Sequence, residues 1–223
     1  MKKAFLILSA ALLLASCDGL FNAKTSDETA QNDSISTQNN ANHELEYLDI
    51  SVIPETAELQ DSFFQYVVYV NVEQEPNEDD PEGVYSVWWG DERTGVAYKV
   101  LTTNPMAIGQ WEKMEKEGSN AVDVPIDQVA AASRAYIASE DASKIIVEGC
   151  PDARNIWTYI IDVFGQTAKQ LPSTEGVQDL DWKRGEVIVA SYGYYPEGGR
   201  YTYNKAYSLD GKYLRQTSEP EVE

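Results

Sequence analysis

The sequence predicts a mainly β protein: about three antiparallel meanders of one recurring design, with one short helix at most. Three observations carry this. Tyr 14 and Trp 5 against Met 3 favour flat rings that suit a pleated surface. The apolar runs are short, β-branched and bounded by turn residues, too short to favour buried helices. Turn motifs and apolar runs also return at a spacing of 40–50 residues. A chain of 223 residues with 43% hydrophobic content can bury a real core. Its formal charge of −20 disfavours nucleic acid, which is bound by Lys/Arg clusters that this chain lacks.

The first element precedes the body. Met1-Lys2-Lys3 is a basic start, and Ala4 to Ala15 is apolar except for Ser9. The run falls short of the roughly 20 apolar residues that span a bilayer and fits the core of a secretory signal over residues 1–16. Leu14-Ala15-Ser16-Cys17 resembles the lipobox of bacterial lipoproteins. The resemblance implies that the Cys17 thiol is diacylated, commonly with palmitate. It implies cleavage just before Cys17 and usually acylation of the new amino group. Two or three chains hold a protein on a membrane nearly irreversibly, whereas one is marginal. The mature chain then loses Lys2 and Lys3 and carries −22, termini aside. Asp18 follows the cysteine; in enteric bacteria it favours inner-membrane retention, a rule other phyla do not follow. The expected address is the cell envelope, with the outer membrane favoured and the leaflet open.

Residues 17–43 read as a lipid-anchored, disordered stalk. Asn, Ser, Thr and Gln dominate, and Leu20, Phe21 and Ile35 are its only large apolar residues. Such a segment cannot offset the entropy of ordering. Asp18 to His43 has an r.m.s. reach of about 25–30 Å as a flexible chain. His43, the sole histidine, closes it, so the body has no imidazole for metal binding or acid–base catalysis.

The β-rich domain is expected over 44–218, with an acidic tail over 219–223. Leu45 to Val52 alternates like a strand. Phe63 to Val72 is β-branched and aromatic. Val84 to Trp89 and Val96 to Leu101 flank Gly90–Gly95 as a hairpin with a longer loop. Between Glu73 and Glu82 lie six carboxylates. Calcium takes six to eight oxygens, but the D-x-[DN]-x-[DN]-G spacing is absent, so a solvated hairpin tip is expected. Gly109 to Glu117 is the one helix candidate, with Trp111 and Met114 three apart. Asp127 to Ala135 is alanine-rich and ambiguous; it is assigned as strand. Further strands are expected at Ala132–Ile137, Lys144–Val147, Ile156–Val163, Ala168–Leu171, Val187–Ser191, Tyr201–Ser208 and Tyr213–Gln216. Asp179 to Trp182 reads as a strand with Leu180 and Trp182 on one face.

Repetition organises these strands. Gly165 to Gly211 and Gln170 to Gln216 are both 46 residues apart. Lys144–Val147 matches Glu186–Val189 at an offset of 42, and Lys99 and Leu101 match Lys169 and Leu171 at 70. The excess of 24 fits an insertion around Met106 to Asp123. About four strands per 40–50 residues resembles degenerate propeller blades, although no WD or kelch signature is present. Three blades are fewer than a closed propeller needs. The resemblance therefore implies an incomplete propeller-like stack or a twisted sandwich.

Function is far less legible. With Cys17 committed to lipid, Cys150 has no intramolecular disulfide partner. It lies in a turn-like Glu148–Asp152 and is expected as a buried small apolar residue. The sequence has no G-x-S-x-G, H-E-x-x-H, P-loop, G-x-G-x-x-G or C-x-x-C motif. No catalytic residue, cofactor or metal is assigned. Tyr192, Tyr194, Tyr195, Tyr201 and Tyr203 crowd one hairpin around Pro196-Glu197-Gly198-Gly199. Tyr offers ring area and a hydroxyl together. Tyr194, Tyr195 and Tyr201 are therefore the candidate contact residues, joined by one of Trp88 or Trp89, which alternate across a strand. The expected function is a non-enzymatic envelope lipoprotein whose β-domain binds a protein or glycan. The alternatives are a carboxylate-based hydrolase, for instance through Asp179 and Asp181, or an assembly subunit of an envelope complex.

Overall fold

The computed structural model describes residues 46–77, 83–110, 120–151, 156–172 and 175–217. The segments expected as signal and stalk, with Cys17, the acidic residues 78–82, most of the expected helix and the expected acidic tail lie outside the described residues. All described residues belong to one compact unit, Asn42–Glu223.

Among the described residues, fourteen strands form three antiparallel sheets. The first holds β1 (Leu48–Asp49), β2 (Glu58–Phe63), β3 (Tyr66–Gln74), β4 (Val84–Asp91) and β5 (Val96–Thr102), in the order β1-β5-β4-β3-β2. The second holds β6 (Val122–Val124), β7 (Arg134–Ile137), β8 (Lys144–Gly149), β9 (Trp157–Asp162) and β10 (Thr167–Gln170), in the order β6-β10-β9-β8-β7. The third is β11 (Val177–Asp181), β12 (Glu186–Tyr194), β13 (Arg200–Ser208) and β14 (Tyr213–Gln216), in chain order. Each sheet is a four-stranded meander. In the first two, a short leading strand returns to pair with the meander's last strand.

The repeat is real. Ile145–Val147 lies in β8 and Val187–Val189 in β12, each the second strand of its meander. Gly165 and Gly211 both sit in the turn between third and fourth strands, and Gly95 holds that place in the first sheet. A further equivalence emerges at the foot of each third strand, where a short polar side chain closes the turn. Asp91 accepts from the amides of Arg93 and Thr94, Asp162 from Gly165, and Ser208 from Lys212. Such side-chain acceptors substitute for backbone turn bonds. The insertion inferred from the long first offset, around Met106 to Asp123, runs into β6, the leading strand of the second sheet.

Stacking follows from the pleat. Ile145 and Val147 of β8, with Tyr159 and Ile161 of β9, join Val68, Val87, Trp89 and Val100 in a core between sheets one and two. The alternate residues Ile146 and Ile160 join Val187, Val189 and Tyr207 in a core between sheets two and three. The middle sheet is buried on both faces, which is why its strands read as continuous apolar runs.

Several expectations need correction. Of the strand expected over Leu45 to Val52, the described residues 46–52 are strand only at Leu48–Asp49; Ile50–Val52 is a 3-10 turn, capped by the Asp49 side chain, which accepts from the Ser51 amide at 2.9 Å. Ile50 crosses the outer face of the first sheet, 3.1 Å from where a Cβ on Gly90 would sit. Val129–Ala132 is buried but not strand. It presses on Gly149, whose Cβ would lie 2.5 Å from that of Ala131. Of the helix expected at Gly109–Glu117, only Gly109 and Gln110 are described, and they close a 3-10 segment, Pro105–Gln110. β11 ends at Asp181; Leu180 packs into the core between sheets two and three, Trp182 against the other core. Cys150 is exposed, since it follows the end of β8.

Candidate functional site

The β12–β13 hairpin outruns its neighbours. Its strands pair from Glu186↔Ser208 to Tyr194↔Arg200, whereas β11 stops at Val177↔Val189 and β14 at Gln216↔Lys205. Among the described residues, the ribbon from Ser191 to Tyr203 thus has no flanking strand beyond the contacts Glu175 N–H to Ala190 and Thr217 N–H to Asn204. Isolated two-stranded ribbons are marginal in water, so side-chain pairs must hold this one.

Register assigns the faces. Gly193 opposes Tyr201 and Ser191 opposes Tyr203, so Tyr201, Tyr203 and Lys205 share one face. Tyr201 lies over Gly193, where a Cβ would stand 2.6 Å from the ring. Its ring is 4.7 Å from that of Tyr195 and 5.8 Å from Tyr203, and the Lys205 ammonium sits 5.4 Å above Tyr203. The opposite face carries Tyr192 and Tyr194, rings 5.8 Å apart, with the Arg200 guanidinium 4.3 Å from Tyr192. Arg200 is also ion-paired with Glu175. At the tip, Gly198 and Gly199 both take positive φ, a turn that Cβ-bearing residues disfavour. Tyr194 is 69% exposed and the other four tyrosines are half-buried.

The expected trio is therefore split: Tyr194 lies on one face, Tyr195 and Tyr201 on the other. Trp88 and Trp89 do point to opposite sides of β4, but both are buried and neither joins the ribbon. The Trp89 indole donates to the Ala142 carbonyl at 3.0 Å, linking sheets one and two. Trp88 donates to Ser86 at 2.9 Å, with Lys99 over its ring. Its face is covered rather than open, because the chain from Ile50 to Thr56 lies across that sheet. Both indoles are core. Asp179 accepts from the Leu180 amide, and Asp181 holds Arg184.

One buried carboxylate escaped the sequence. Glu148, at 3% exposure, is the penultimate residue of β8. It accepts from the Val177 amide at 2.5 Å, and from the Thr158 and Tyr136 hydroxyls at 3.3 Å. Burial, then this carboxylate's charge, raises the Tyr136 hydroxyl above its ordinary pKa and keeps it a donor. Glu148 thus joins three strands of the middle sheet to the start of the third. The only signal was a lone Glu ending the Ile-Ile-Val run, beside a turn. Among the described residues, no three His, Cys, Asp or Glu side chains gather as a metal site.

No family model matches the chain, and no curated protein matches it. Solved structures do. The β-propeller domain of the Trilobed protease from Pyrococcus furiosus, described as having an open velcro topology, is 11% identical with a TM-score of 0.45, over 75% of this chain and 44% of that one. An acylaminoacyl peptidase from Pyrococcus horikoshii is 11% identical with a TM-score of 0.44, over 78% of this chain and 27% of that one. An acylaminoacyl peptidase in complex with a chloromethyl ketone is 12% identical with a TM-score of 0.44, over the same shares. The chain spans less than half the length of each of these proteins.

Proposed function

We propose that this protein is a lipid-anchored envelope lipoprotein whose non-enzymatic β-domain presents the Tyr192–Tyr203 ribbon to a protein or glycan partner. The observation that carries the reading is the ribbon itself. It extends past both flanking strands and bears aromatic rings on both faces, with Tyr194 the most exposed of them. Tyrosine gives contact area at low entropic cost and a hydroxyl for polar recognition. A chain at −22 is repelled by anionic polymers, so its contacts rest on rings and hydrogen bonds rather than cations. Glu148 does not favour the hydrolase alternative, because its oxygens are occupied by three donors of the fold.

The test is purification from native membrane with identification of what copurifies. Tyr194→Ala, on one face, and Tyr195→Ala, on the other, are expected to reduce partner yield unequally and so identify the face in use. Equal yield from both variants and from their combination sinks the ribbon as the site. The anchor is tested separately. Cys17→Ser is expected to leave the membrane fraction or to accumulate as an uncleaved precursor. If that variant is processed and still held in the membrane, lipid is excluded as the anchor.

A further inference from the structure

We infer that Ser218 to Glu221 continue β14 along the outer edge of β13, so that this chain's own acidic tail is the strand that covers the tyrosine ribbon on that side. The inference goes beyond the partner reading and stands without it. It starts from the ladder. Ala190 turns both backbone groups away from β13: it donates to the Gly176 carbonyl and accepts from the Glu175 amide. Its opposite residue, Asn204, accepts from the Thr217 amide at 3.0 Å on the far edge. Antiparallel pairing alternates, so Thr202, opposite Tyr192, and Arg200, opposite Tyr194, also aim N–H and C=O outward. The Tyr195 amide, which donates to the Gly199 carbonyl at 3.1 Å, keeps the same alternation at the tip. The amides and carbonyls of Thr202 and Arg200 thus follow Asn204 along an edge that no described strand covers.

Thr217 is the last described residue, and its bond to Asn204 already lies one step past β14. The next residues need only keep that direction. Gln216 opposes Lys205, so Ser218 falls opposite Tyr203, Glu219 opposite Thr202, Pro220 opposite Tyr201 and Glu221 opposite Arg200. The residue types fit this register. Thr217, Glu219 and Glu221 turn their backbone toward β13, whereas Pro220, which has no N–H, turns outward, where a strand tolerates proline. An outward proline also blunts the new edge against further pairing. Pro220 shares the face of Tyr201 and Tyr203, across from the Tyr201 ring. Glu221 shares the face of Arg200, whose exposed guanidinium already holds Glu175. Opposite charges directly across a ladder stabilise it. A slip of one residue would turn Pro220 inward and set Glu221 across from an uncharged residue.

Direct linkage to β14 gives this strand an effective concentration that a separate chain must exceed. It also accounts for a ribbon that outruns its neighbours, since an uncovered two-stranded ribbon is marginal. The tail thereby closes the β13 edge to strand addition and holds the row of Tyr195, Tyr201 and Tyr203. Tyr194, on the other edge and the other face, stays open.

The experiment follows amide hydrogen exchange in the full, membrane-extracted protein at one pH, with Thr202 as the reporter. A chain ending at Thr217 is expected to exchange its Thr202 amide about tenfold faster than the full chain, because the Glu219 carbonyl no longer accepts it. The Ile146 and Ile160 amides of the middle sheet should be unchanged, which shows that the cores are intact. Glu219→Pro, at an inward position, should match the shortened chain. Ser218→Pro, at an outward position, should match the wild type. A wild-type rate in Glu219→Pro, or a fast rate in Ser218→Pro, overturns the register. An equal Thr202 rate in the full and shortened chains overturns the pairing itself: fast in both leaves the edge to water, and slow in both gives it to another occupant, a second copy if dilution speeds it. None of these outcomes bears on the partner reading, which the yields of Tyr194→Ala and Tyr195→Ala decide.

Discussion

Alanine at Glu148 is expected to lower the unfolding free energy by about 3–4 kcal/mol, because it strands one buried and two half-buried donors at once. The Val177 amide, the Thr158 hydroxyl and the Tyr136 hydroxyl all end on this carboxylate. The side chain that receives them is almost fully enclosed, so water does not reach it from outside. For a body of this size the melting temperature should fall by roughly 10 °C. Glu148→Gln separates geometry from charge. Its amide oxygen still receives Val177 and Thr158, and its NH2 donates to a Tyr136 hydroxyl turned about. That variant should lose only about 1 kcal/mol. Chemical denaturation of both variants checks the pair. Equal, small losses would mean that water takes over the orphaned donors and that the contact between sheets two and three lies elsewhere.

Removing residues before Glu58 is expected to cost a similar amount, about 3–5 kcal/mol, whereas removing residues before Glu44 is expected to cost nothing measurable. The asymmetry comes from the stretch between these cuts. Leu48 and Asp49 pair with Ala97 and Val96, and the Ile50 amide donates to the Gly95 carbonyl at 2.9 Å. Ile50 lies over Gly90 and Val67, and Thr56 donates to the buried Asn71 at 2.7 Å. Without this cover β5 becomes an open edge, Val67 and Trp88 meet water, and Asn71 loses its partner. Calorimetry on chains beginning at Glu44 and at Glu58 gives the comparison. A cooperative, unshifted melt from the shorter chain would show that the outer face needs no cover.

Much of the fold was legible because the middle sheet wears its burial openly. Ile145-Ile146-Val147 and Tyr159-Ile160-Ile161 are apolar on both pleat faces, and the offsets between glycines and glutamines place them in equivalent strands. Polar strands were the ones that hid. β2 reads Glu-Leu-Gln-Asp-Ser-Phe and is assembled by its neighbours: the Asp61 carboxylate accepts from the Ile137 amide of the second sheet at 2.8 Å. β6 has three residues, and its pairing rests on a partner strand 46 residues away, with Asp123 ion-paired to Lys169. No window of local sequence contains that information. The tyrosine ribbon was visible as composition, but its two faces depend on register, which only the pairing of Gly193 with Tyr201 fixes. Trp88 misled for a related reason. Strand alternation correctly turned it away from the core between sheets, yet the chain from Ile50 onward had already roofed the other side.

The middle sheet's two-sided burial also governs the order in which the chain can mature. Each sheet is drawn from one contiguous stretch, 48–102, 122–170 and 177–216, so strand pairing is completed locally as each stretch emerges. Docking between sheets comes afterwards. The first sheet can wait with one apolar face uncovered, since residues 48–56 shield the other. The second cannot: until the third arrives, Ile146 and Ile160 present a bare aliphatic strip to solvent. During synthesis, the hazardous species is thus the two-sheet intermediate, and the stretch 177–216 acts as its covering partner within the same chain.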